Sequence, residues 1–404
     1  MTHEPTRRAI LAGLGCACCA GIVPAAARVR PADMQPLVGP GYRPSEEDEL
    51  GMWQQYERFE QEVAGSNLLI RDPALVAYLA GLVERVGGPA AGDLRIYLAR
   101  VPEFNAFMAP TGFMVVFSGL LTRMRDEAQL AGVLAHEAGH FLRRHHARRW
   151  RDLKRRTDFF TILAMGAGLG GGVAGTYLGD WVRLAGMGTM LTLAAYSREL
   201  EAEADAMGVR LIAESGYDPA AMPAVWRQLI GELDASAAMR RRRRRDQSLL
   251  ATHPAPESRM RDLGLSAEEV RATGRHYDRG RERYLAAIAA HRPLLLDDQV
   301  KLNDPGASLY IVHNLAEDGW NGLLRYYEGE AWRLRGRPGD GDHAARSYAM
   351  AVAYPDAPAE AWRAHGYGLL RAGRREEGRA ALGRYLAAAP DAPDAAMVRY
   401  SLQQ

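Results

Sequence analysis

Cysteine is absent after residue 19: the three that occur are Cys16, Cys18 and Cys19. A fold stapled by disulfides and a metal site built on thiolates are therefore excluded for everything downstream. Lysine is nearly absent too. It occurs only as Lys154 and Lys301, so almost all of the 51 basic residues are arginine, and a run of arginines says less here than usual. Neither sign of charge is in excess, since 49 Asp+Glu offset the basic residues; the formal net charge of +2 gives no overall pull toward nucleic acid. Low-complexity bias is missing as well. With 48% hydrophobic and 25% charged residues over a length of 404, the chain is globular and long enough for about two or three domains.

The N-terminus reads Thr6-Arg7-Arg8-Ala9-Ile10-Leu11, then an apolar stretch, then Pro24-Ala25-Ala26-Ala27. A basic start, a short apolar run and small residues at the end are the parts of a secretory signal, and the paired arginines resemble a twin-arginine export signal. Residues 1–27 are thus expected to be a signal peptide and the mature protein periplasmic. Cleavage after Ala27 would remove every cysteine. Pro31, Pro36, Pro40 and Pro44 mark 28–44 as a linker.

Beyond the linker, Ser45-Glu46-Glu47-Asp48 reads as a helix start, with Trp53, Tyr56, Phe59 and Val63 at helical spacing. Asp72-Pro73 opens a second helix. Leu94–Leu98 and Phe113–Phe117 read as strands, with a turn at Pro110-Thr111-Gly112, and Asp126 begins a helix buried through Leu130, Val133 and Leu134. Residues 159–179 carry no charge but many glycines, which favours a tightly packed helical hairpin over a membrane span, with membrane-surface contact as the alternative. Arg240–Arg245 and Arg143–Arg156 read first as solvated stretches and second as contacts for anionic lipid. Near the C-terminus, Gly329, Gly336 and Pro355 are echoed by Gly366, Gly373 and Pro390, a spacing that resembles a tetratricopeptide repeat. Such repeats imply a protein partner.

The chemistry centres on Ala135-His136-Glu137-Ala138-Gly139-His140. Two histidines four residues apart share one helical face, so both imidazoles reach one Zn²⁺, and Glu137 is placed to take a proton from the attacking water. A third ligand must come from elsewhere, leaving a fourth position open. The stretch Tyr196-Ser197-Arg198-Glu199-Leu200-Glu201-Ala202-Glu203-Ala204-Asp205 supplies it. Glu201 and Asp205 share a face, so Glu201 suits the metal while Asp205 orients a histidine from behind; spacing leaves Glu199 and Glu203 as substitutes. On one continuous helix His145 and His146 would turn away from the metal face, so they read as surface or structural residues.

These motifs resemble the gluzincin metallopeptidases that include the CAAX prenyl proteases and HtpX-like bacterial proteases, and more narrowly periplasmic proteases of the beta-barrel assembly-enhancing type. Asn105-Ala106-Phe107, similar to that family's substrate-binding edge strand, Arg144-His145 after the ligand helix, and Thr252-His253-Pro254 with Arg259 extend the match. The resemblance implies one Zn²⁺ per chain on His136, His140 and Glu201. It implies that His253 either plugs the metal or donates to the oxyanion, and that Arg259 stabilises charge. The expected fold is mainly α with a small β-sheet, a zincin-like metallopeptidase domain over 45–300, followed by α-helical tetratricopeptide-like repeats over 301–404. The expected activity is hydrolysis of peptide bonds in envelope or outer-membrane proteins. The rival reading is a repeat-based chaperone or assembly factor with a plugged or vestigial protease site.

Overall fold

Alternation along three short strands sets the architecture. In the computed structural model, which describes residues 28–155, 196–240 and 256–403, β1 (Arg95–Ala99), β2 (Ala106–Met108) and β3 (Phe113–Phe117) form a sheet of order β1-β3-β2. β1 runs parallel to β3, and β2 pairs antiparallel with it, Phe107 opposite Val115. Among the described residues β2 is therefore an edge strand. Because side chains alternate across a strand, Met114 and Val116 enter one core while Phe113, Val115 and Phe117 enter another.

The second of these cores is closed by Phe59 and Val63 of α1 (Glu47–Ala64). The larger one is built on the other face from α2 (Pro73–Val86) and α4 (Glu127–Leu142), which follows the short α3 (Ser118–Arg123). Leu75, Leu79 and Leu82 of α2 meet Leu130, Leu134 and Ala138 of α4 there. Both helices start as their sequences predict: the carboxylates of Asp72 and Asp126 accept hydrogen bonds from the backbone N–H groups of Leu75 (2.8 Å) and Gln129 (2.9 Å). Residues 28–44, read from their prolines as a linker, lie against this core. Met34 and Val38 are buried in it, and Leu37 donates its N–H to the Leu142 carbonyl at 2.8 Å.

α5 (His145–Arg155) follows, then α6 (Arg198–Glu214), α7 (Ala221–Arg240), α8 (Pro256–Arg271) and α9 (Arg281–Ile288). The basic stretch on α5 is extensively paired among the described residues, with Arg148 on Glu203 and Arg151 beside Glu46. α10 (Arg292–Lys301) and α11 (Pro305–Leu315) lead into two helix pairs, α12 (Gly322–Arg335) with α13 (Asp340–Ala351) and α14 (Ala359–Arg371) with α15 (Arg375–Ala388), before α16 (Ala395–Gln403). In each pair a glycine admits its partner's side chain: Gly329 faces the Tyr348 ring and Gly366 faces Leu382. No helix among the described residues is long and apolar enough to cross a membrane. Residues 159–179, the signal-like N-terminus and Arg241–Arg245 lie outside them.

Candidate metal centre

Burial of α4 by its leucines carries the His136 face into the interior, so that His136, Glu137 and His140 are 6%, 4% and 0% exposed. α6 supplies the opposing face. Its first turn is capped by the Ser197 hydroxyl, which accepts from the Leu200 N–H, and Leu200, Ala204 and Met207 bury one side. The two helices cross closely because small residues meet: a Cβ on Gly139 would lie 3.0 Å from the Ala204 carbonyl oxygen, and one on Gly208 would lie 3.1 Å from the His136 nitrogen. Glu201 reaches the histidines through that closeness. Gly139→Val is expected to force α4 and α6 apart, lower stability by about 1–3 kcal/mol and cost the protein its zinc. Elemental analysis alongside a thermal melt checks this; full zinc stoichiometry in the variant would contradict it.

The ligand atoms converge. His136 Nε2 lies 3.0 Å from His140 Nε2, and the Glu201 oxygens lie 3.7 and 3.6 Å from these two nitrogens. A tetrahedral zinc with bonds of about 2.0–2.1 Å requires ligand atoms roughly 3.3 Å apart. Two imidazoles and a carboxylate are also the donor chemistry zinc takes when a fourth position stays open. Among the described residues, His136, His140 and Glu201 form the one group of three potential ligands brought together this way. Of the substitutes that spacing allowed, Glu199 is exposed and Glu203 turns to arginines.

Behind His136, Asp205 Oδ1 lies 2.9 Å from Nδ1, placed to accept that N–H and hold Nε2 inward. Arg259 grips Asp205 through Nε (2.8 Å) and Nη2 (2.6 Å), sets Nη1 2.7 Å from Glu201 Oε2, and lies over the Trp226 ring at 4.2 Å. Burial by itself would raise the Asp205 carboxyl. The Arg259 charge and the His136 hydrogen bond overcome that and hold it well below the usual carboxylate range. In the same way burial opposes the Arg259 charge, and Asp205 and Glu201 more than restore it. His253 lies outside the described residues, so of the two groups expected to manage charge only Arg259 has a described place.

A cavity of about 750 Å³, its open mouth included, runs along His136 and Glu137. Asn105 and Ala106 form one wall; Val133, Met222, Trp226 and Leu229 make the rest largely apolar. Phe107 does not join them. Alternation sends its ring to the opposite face of the sheet, stacked on Phe59 at 6.3 Å.

His145 and His146 depart from their sequence reading as residues on a continuing helix. α4 ends at Leu142, and Arg144 adopts φ 52°, so the chain leaves the helical phase before His145. His145 is fully buried with Nδ1 2.9 Å from His140 Nδ1. His146 sits beside the Tyr196 hydroxyl at 2.9 Å, and burial pushes it down to about 3. Tyr196 also stacks on the His140 ring at 4.0 Å. No helical periodicity signals these contacts; the family resemblance of Arg144-His145 marks the pair without giving its role.

The model of peptidase family M48 matches residues 70–266, a span that includes the sheet, α4, Glu201, Asp205 and Arg259. The chain carries a peptidase family M48 domain. Peptidases of this family use zinc, and the donor set of the M48 domain fits that ion. The beta-barrel assembly-enhancing protease of Escherichia coli (strain K12) is 32% identical over 229 residues, covering 53% of this chain and 43% of that protein. The putative beta-barrel assembly-enhancing protease of Vibrio cholerae is 32% identical over 199 residues, covering 48% and 39%. The mitochondrial metalloendopeptidase OMA1 of Arabidopsis thaliana is 32% identical over 171 residues, covering 42% and 30%. The matches thus span less than half the length of these relatives.

Proposed function

We propose that the protein is an exported zinc endopeptidase that cuts extended segments of envelope proteins in their quality control. The observation that carries this reading is the convergence of His136, His140 and Glu201 beside Glu137, at a cavity walled by an edge strand. When bound, Zn²⁺ supplies Lewis-acid polarisation of the scissile carbonyl and of the attacking water. Glu137 accepts the proton of that water and returns it to the departing amine. No strand among the described residues pairs the outer edge of β2, and near Asn105 and Ala106 that edge offers backbone groups to an extended substrate, in the manner of an added strand, and holds the scissile bond against α4. The apolar wall of Val133, Met222 and Leu229 takes a neighbouring apolar side chain and keeps bulk water out. Asp205 and Arg259 fix the His136 ring, so the donor atoms stay convergent.

The envelope assignment draws on the printed names of the bacterial relatives and on the signal-like N-terminus with Arg7 and Arg8. The two C-terminal helix pairs, read as tetratricopeptide-like repeats, offer a docking surface for a protein partner. Purified protein carrying one zinc is expected to degrade unfolded casein, to stop when a chelator removes the metal, and to resume when one equivalent is restored. Zinc-loaded protein that leaves casein and unfolded outer-membrane protein intact would overturn the peptidase reading. It would favour the assembly-factor alternative, in which the helix pairs do the work.

A further inference from the structure

We propose that His145 is a positioning residue for the metal ligand His140, the middle member of a one-way hydrogen-bond chain that ends on Glu203. The proposal rests on the metal site described above. A neutral imidazole that gives Nε2 to a metal keeps its proton on Nδ1. On His140 that proton faces His145 Nδ1 at 2.9 Å. His140 therefore donates and His145 accepts, which leaves the proton of His145 on its Nε2. That nitrogen faces Glu203 Oε2 at 3.4 Å. Glu203, an ionised carboxylate, can only accept.

The far end is anchored hard. Arg143 reaches Glu203 Oε2 through Nε (3.0 Å) and Nη2 (2.8 Å), and Arg148 holds both oxygens through Nη1 (2.6 Å) and Nη2 (3.0 Å). Each donor in the series has an acceptor, and the direction is set by the metal. His145 cannot itself ligate the same ion, because it lies against the ring nitrogen of His140 that points away from Glu201. The two histidine ligands are thus held by parallel devices. His136 leans on the Asp205–Arg259 pair directly, whereas His140 leans on Glu203 and its two arginines through an intervening imidazole. The left-handed turn at Arg144 makes this geometry, by folding α5 back so that His145 lies under α4.

Zinc affinity and zinc release to a chelator test the idea, measured on the full chain with the melting temperature of each metal-free protein. His145→Ala is expected to weaken zinc binding by about ten- to a hundredfold and to speed its release, the range typical of lost ligand support. His145→Asn keeps a short acceptor near the Nδ1 position and is expected to recover most of the affinity. Glu203→Gln, which keeps the shape and removes the charge, is expected to fall between. Wild-type affinity in folded His145→Ala would overturn the proposal. Should that variant not fold, wild-type affinity in Glu203→Gln would overturn it equally. A role in packing alone would lower the metal-free melting temperature and leave affinity unchanged. Failure of the metal site itself is a separate outcome: wild type would then take up no zinc, or His136→Ala would take up as much as wild type.

Discussion

Glu137→Gln is expected to bind zinc as wild type does and to hydrolyse peptide about 10²–10⁴-fold more slowly. The substitution keeps volume and hydrogen-bonding capacity but removes the proton transfer proposed for Glu137. Glu137 is 4% exposed on the cavity wall beside His136, and it is not one of the three converging ligands. Zinc content should therefore stay at one per chain while turnover collapses. Substrate should remain bound to the intact edge of β2, so the same variant used as bait would capture the natural substrates. Turnover equal to wild type would remove Glu137 from the mechanism.

Arg259→Met is expected to destabilise the metal-free protein by about 3–5 kcal/mol, because it strands Asp205 and Glu201 as buried carboxylates without their cation. A fall in melting temperature on the order of 10 °C follows from a loss of that size. Methionine still covers the Trp226 ring, so the loss reports charge more than packing. Zinc should restore part of it, since the ion brings positive charge to Glu201. Differential scanning calorimetry with and without zinc checks both effects. An unchanged melting temperature with a lowered kcat would instead place Arg259 among the groups that meet the reacting atoms.

Where the local physics was complete in a few residues, the sequence was legible. Asp72 and Asp126 each precede an apolar-periodic stretch, and each caps its helix as that pattern requires. The spacing of His136 and His140 places both on one face irrespective of the rest of the fold. Choosing among Glu199, Glu201 and Glu203 needed more, namely how α6 is rotated against α4, and that follows from Leu200 and Ala204 being buried with Gly139 opposite. His145 was harder still. Counting 100° per residue assumes an unbroken helix, and the break at Arg144 is a backbone choice made by a single non-glycine residue. Phe107 was grouped with Asn105 and Ala106 as one contiguous strand motif, though the two-residue period of a strand sends its side chain to the opposite face.

α7 gives the molecule an unexpected indivisibility. One side of this helix, through Val225, Leu229 and Leu233, walls the cavity. On the same face Glu232, itself on the cavity wall, binds Arg123, which also meets Gln299, and one turn further Ser236 donates to Asp304 at 2.6 Å. Leu295 belongs to the peptidase core and Leu296 to the next one. A chain severed after residue 300 would leave the cavity wall without its backing and open a sticky apolar scar. Recombination that swapped the helical half for another would have to carry α7 along with it. The helix pairs are thus tied to the pocket wall through the segment around Leu296, Gln299 and Asp304.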